Sequence, residues 1–205
     1  MIGNDSDQNK ERGDSQDLLA EPVNTLSNIA FFAAMLATMP FVKSWFDGLL
    51  SAGIAMVGLG STLYHVRPCR MTRQIDAITI IAWVLLYVFG WAHFMMHIDA
   101  RMSAALVVVF LAINYFFNKR YGSSLNGSAD YLPVIGLLLI SGSSVWYLYG
   151  HPHLVIAGVL AATSLVFRVV DMDVKIPAGT HFIWHIMNGF MMAMLTLYVS
   201  VYVGV

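Results

Sequence analysis

Charge is scarce in this chain. Charged residues fill 11 % of its 205 positions and hydrophobic residues 58 %, against about 25 % charged in an ordinary soluble domain. Mean hydropathy is +0.68. A chain so poor in charge meets lipid over most of its surface, which excludes a soluble enzyme, a nucleic-acid binder and a disordered protein. The net charge of −1 gives no basic field for DNA or RNA. Cysteine is nearly missing too. Cys69 stands alone, so no intrachain disulfide can form. No internal repeat is visible, which argues against a transporter built from inverted halves. The length suits one integral membrane domain and leaves little for a second.

The charge that is present is placed unevenly. Six of the 12 acidic residues fall in the first 21 positions: Asp5, Asp7, Glu11, Asp14, Asp17 and Glu21. Residues 1–21 thus form a polar acidic head with no apolar core of a signal peptide. From Pro22 to the end, residues 22–205 read as a membrane domain of long apolar runs. A hydrocarbon core of about 30 Å takes about 20 helical residues to cross. Seven such segments fit: 22–45, 48–66, 74–97, 101–118, 130–149, 152–170 and 178–204. The runs are continuous rather than alternating with period two, so the expected fold is an all-α bundle of seven transmembrane helices. Pro68, Pro133, Pro152 and Pro177 fall near helix ends, where a missing N–H costs least.

Seven spans put the termini on opposite sides. Nine of the 11 Lys and Arg residues then lie on the N-terminal side, Arg168 in the sixth–seventh break among them, and only Lys43 and Arg101 on the other. The positive-inside rule places the N-terminus in the cytoplasm or on the cytosolic face of an organelle.

Ionisable and polar groups inside such spans are expensive, so each needs a reason. Ser61 and His65 lie four apart at the end of the second segment, on one helix face. Asp76 lies near the start of the third. His181 and His185, again four apart, open the seventh, and about 6 Å of rise lets two such rings tilt toward one ion. The second segment ends, and the third and seventh begin, on the same side of the membrane. His65, Asp76, His181 and His185 therefore share a depth. Alone, each also fits a helix-end or interfacial residue; together they fit a catalytic zinc site of three imidazoles with a fourth position for water. Zinc lowers the pKa of such a water to about 7. Asp76 suits the general base, and Ser61 suits an oxyanion donor. His93, His97, His151 and His153 fall on the opposite side and read as interfacial. Met191, Met192 and Met194 read as packing or lipid-facing residues. Gly53, Gly58 and Gly60 allow close helix contact.

The set Ser61-x3-His65, Asp76 and His181-x3-His185 resembles the pattern of the seven-helix hydrolases grouped as the CREST superfamily, which includes alkaline ceramidases and adiponectin-receptor-like proteins. The string Ala20-Glu21-Pro22-Val23-Asn24-Thr25-Leu26-Ser27-Asn28 looks like the alkaline ceramidase motif in its bacterial form. Gly179 to His185, and Phe167-Arg168-Val169-Val170-Asp171, are similar to the same members. The resemblance implies zinc held by His65, His181 and His185, with Asp76 as base and Ser61 at the oxyanion. It implies a zinc-dependent hydrolase that cleaves the amide of ceramide or a related N-acyl lipid to a fatty acid and a sphingoid base or amine. It also implies a calcium site drawing on Glu11 and Glu21, although Lys10 and Leu19 stand where the family has cysteine and an aromatic residue. Glu21 and Asn24 equally fit a cap on the first helix, with Pro22 in its first turn. The expected partner is a membrane lipid, and the bacterial form implies the inner membrane. An N-acyl amino lipid competes with ceramide as substrate. A receptor-like protein with a structural metal, and a metal transporter, are the competing classes.

Overall fold

The computed structural model describes residues 21–171 and 179–203, and every regular element among them is helical. Glu11, the rest of the acidic head and Lys175 lie outside the described residues. The chain enters through α1 (Pro22–Ser27), with Pro22 in its first turn. It passes through a tight turn at Asn28 into α2 (Ile29–Thr38), which ends in a 3₁₀ turn at Met39–Phe41. Then follow α3 (Trp45–Val66) and α4 (Arg70–Gly90), the latter continued by a π turn at Trp91–Met95. The remaining long helices are α5 (Ala100–Tyr121), α6 (Leu132–Tyr149), α7 (His153–Val169) and α8 (His181–Val203), with a single helical turn at Ser124–Gly127 and a 3₁₀ turn at Ala129–Tyr131 between α5 and α6.

Among the described residues, six stretches are long and apolar enough to cross a membrane: Pro22–Phe41, Trp45–Val66, Arg70–Met95, Ala100–Tyr121, Ala129–Tyr149 and His181–Tyr202. The segment expected at 152–170 is a shorter apolar helix, the 17 residues of α7. At 1.5 Å per residue it is about 25 Å long, less than the hydrocarbon thickness. Other ends shift by a few residues because local chemistry sets them. Ser44 and Asp47 form a reciprocal capping box that starts α3 at Trp45. Cys69 and Thr72 form a second one, so the arginine-rich turn before position 74 is already helical. Gly150, at φ +71°, closes α6 in the left-handed conformation that suits glycine.

Helices in lipid have no hydrophobic force between them, so they depend on close fit and small residues. The expected glycine contacts form inside the chain. A Cβ on Gly58 of α3 would stand 2.9 Å from the Phe31 Cβ of α2, and one on Gly60 would stand 3.2 Å from the Asp76 Cα of α4. Gly60 thereby brings the backbone carrying Asp76 against the turn carrying Ser61. Helix α8 is the inner element: it packs on α7, α2 and α3, and half of its span is buried. The buried Met191 and Met192 pack within it, as expected. Helix α5 lies at the periphery with most side chains facing outward.

Candidate metal centre

Two helices bring three histidines together at one end of the bundle. His65 is in the last turn of α3, His181 is the first residue of α8, and His185 is one turn further on. The three are 1 %, 3 % and 2 % exposed. Their ring centroids form a nearly equilateral triangle: 5.1 Å from His65 to His181, 4.8 Å from His65 to His185 and 4.7 Å from His181 to His185. One nitrogen from each ring lies within 4.8 Å of the other two. Among the described residues this is the one group of three metal-ligating side chains so arranged.

Hydrogen bonds behind the rings decide which nitrogens face inward. The Glu21 carboxylate accepts from His65 Nδ1 at 2.7 Å. The Asn24 carbonyl, which can only accept, lies 3.2 Å from His185 Nδ1, and the Ser27 hydroxyl lies 2.7 Å from the same atom. With both Nδ1 protons directed outward, the two Nε2 atoms turn lone pairs toward each other at 3.2 Å. Facing lone pairs repel unless a proton or a cation lies between them. A dication suits all three rings at once, because neutral imidazoles with carboxylate or carbonyl partners behind them are the usual metal ligands.

Glu21, Asn24 and Ser27 recur every three residues on one face of α1. Asn24 also donates to the Glu21 carboxylate at 2.7 Å. Glu21 does not cap α1 with its side chain; its carboxylate turns instead to His65. This arrangement predicts that Glu21→Gln lowers metal affinity about 10- to 100-fold, the usual cost of losing an outer carboxylate. Metal titration of the purified protein with a competing chelator checks it.

The start of α8 is fixed from α7. Asp171 accepts the backbone N–H of Thr180 and, at 2.8 Å, that of His181. Gly179 permits this at φ +63°, where an added Cβ would collide with the Asp171 carboxylate. Two N–H groups that a helix leaves without partners are thus satisfied, and the backbone of His181 is anchored.

Arg168, near the end of α7, enters the site rather than the aqueous loop. Its Nη1 lies 3.4 Å from both ring nitrogens of His181. Its Nε donates to Ser128 at 3.1 Å. The guanidinium lies over the rings of Tyr131 and Trp184, at 5.1 and 5.6 Å. The positive-side count therefore included a charge that the fold turns inward. Eight against two remain by that count, the same direction.

Ser61, 4 % exposed, places its hydroxyl oxygen 3.4 Å from His185 Nε2, at the ring edge facing the cluster. Asp76 does not join the converging nitrogens. Its Oδ1 is buried with no hydrogen-bond partner. Beneath the site lies an apolar cavity of about 60 Å³. Val57, Ile80 and Asn188 line it, each three or four residues deeper than Ser61, Asp76 and His185 on their helices. Phe31, Tyr131 and Trp184 complete the wall nearest the rings.

Of the histidines expected at the opposite end, two make hydrogen bonds away from the cluster. His93 Nδ1 meets the Ile98 carbonyl at 2.9 Å, and His153 meets the Tyr198 hydroxyl. Ser27, Arg168 and Asp171 stand in the strings that carry the resemblance, but the sequence assigns none of them a role at the site. A visible signal was the three-residue spacing of Glu21, Asn24 and Ser27 in an otherwise apolar span. In comparison with known proteins, no family model matches the chain and no curated protein matches it.

Proposed function

We propose that the protein is an intramembrane zinc-dependent amidase that cleaves N-acyl lipids, as the resemblance to alkaline ceramidases implies. In this reading all seven apolar helices span the membrane, and the N-terminus is cytosolic. The observation that carries it is the meeting of three buried imidazoles directly above an apolar cavity. His65, His181 and His185 would hold the zinc, which when bound supplies a Lewis acid and hydroxide from water near neutral pH.

The protein's own groups supply the rest. Asp76 accepts a proton at Oδ1, the oxygen that no hydrogen bond occupies. Ser61 donates its hydroxyl hydrogen to the oxygen charge that develops as the amide carbonyl is attacked. The cavity takes the first methylene groups of the acyl chain, and its apolar wall excludes water from them. Glu21 and the Asn24 carbonyl keep the imidazoles in the tautomer that ligation requires.

A receptor-like protein would need the metal for structure alone, and a transporter would need polar groups through both leaflets. The cluster occupies one end of the bundle, one helical turn from Val57, Ile80 and Asn188 of the apolar cavity wall. The test is fatty acid release from N-acyl lipids by purified protein of measured zinc content. Protein holding one zinc per chain and releasing no fatty acid from any N-acyl lipid would end this reading.

A further inference from the structure

Arg168 presents a problem that the three histidines do not explain. A cation sits against a ring that would bind a dication, inside a membrane protein where charge is costly. Among the described residues it makes no ion pair. Asp76 and Asp130 feel its charge but neither lies within ion-pair distance. The guanidinium has five N–H donors. Its bonds to described partners use Nε on Ser128 and Nη1 on His181, and none involves Nη2. The two rings over which its charge lies, Tyr131 and Trp184, are also walls of the apolar cavity. The arginine therefore stands at the junction of the histidine cluster and the space for an acyl chain.

We propose that Arg168 reads the head of the substrate, and that the substrate is an N-acyl amino acid whose carboxylate pairs with this guanidinium. The proposal rests on the reading of the site as a lipid amidase. An N-acyl amino acid carries its carboxylate on the carbon next to the amide nitrogen. With the amide at the histidines and the chain in the cavity, that carboxylate falls beside His181, where Arg168 is. Arginine and carboxylate match in planar, two-bond geometry. The hydroxyl head of a ceramide would leave the guanidinium without a counter-charge.

The test uses zinc-loaded protein carrying Asp76→Asn, which spares the ligand. It is titrated with N-dodecanoylglycine and with N-dodecanoylethanolamine, nearly equal in shape and differing in the carboxylate, by tryptophan fluorescence. The glycine conjugate is expected to bind about tenfold tighter or more. Adding Arg168→Gln should bring the two to parity, and Arg168→Lys should restore part of the difference. Equal affinities in protein that keeps Arg168 would overturn the proposal, whatever the folding of the variants. A preference shown by dodecanoate but not by N-dodecanoylglycine would overturn it too, in favour of a site for the released acid. Turnover by wild-type protein separates the two readings. Cleavage that favours the ethanolamide sinks the substrate class and keeps the amidase. No cleavage of either, with the binding preference intact, sinks the amidase and keeps Arg168 as the carboxylate-binding residue.

Discussion

Alanine at His185 is expected to remove bound metal and turnover together. The ring is one of three converging imidazoles, it is 2 % exposed, and its Nδ1 is held by the Asn24 carbonyl and Ser27. No other described side chain is placed to replace it. A site reduced from three protein ligands to two loses most of its affinity, because two imidazoles no longer fix the ion. Zinc measured on the purified variant should fall to background under conditions that load the wild type, and amide hydrolysis should fall below detection. His181→Ala should behave alike. His93→Ala, at the far end of the bundle, should keep both. Full zinc occupancy in His185→Ala would show that these rings are not a ligand set.

Asp76→Asn should give the opposite split: zinc retained, kcat reduced by roughly 10²- to 10⁴-fold, the usual contribution of a positioned general base. The carboxylate stands outside the ring cluster, so its charge is not needed to close the coordination sphere. Asparagine keeps the shape of the side chain and the packing against Gly60. What it loses is the capacity to take a proton at Oδ1. Hydrolysis at the wild-type rate by the zinc-loaded variant would remove Asp76 from the mechanism.

Much of the bundle is legible in the sequence, because a membrane span is defined by its length of apolar residues and little else. The limits are equally physical. The first span, expected to run to 45, ends at Phe41. Lys43 and Ser44 there have backbone N–H groups that the Asp47 carboxylate accepts at 3.1 Å each, holding the turn before the next helix. The segment at 152–170 ends one residue early, at Val169, and Asp171 just beyond it accepts the backbone N–H of His181 at the start of α8. At the site, helical spacing and shared depth were enough to bring His65, His181 and His185 together. The carboxylate behind His65 was not legible in the same way. Glu21 lies 44 residues away in sequence, and a residue next to Pro22 reads as a helix start whether or not its side chain turns aside. Arg168 was misplaced for a related reason. Charge counting assigns an arginine at a helix end to water, whereas its long side chain here reaches back along two aromatic faces.

The imidazole cluster is closed by helices that lie far apart along the chain. Ser27 and Asn24 of α1 touch His185 of α8 across separations of 158 and 161 residues. Pairings so distant in sequence carry a high loop-closure cost. The rings therefore converge only where α1 and α8 have met, and loosening either helix undoes the cluster as a whole.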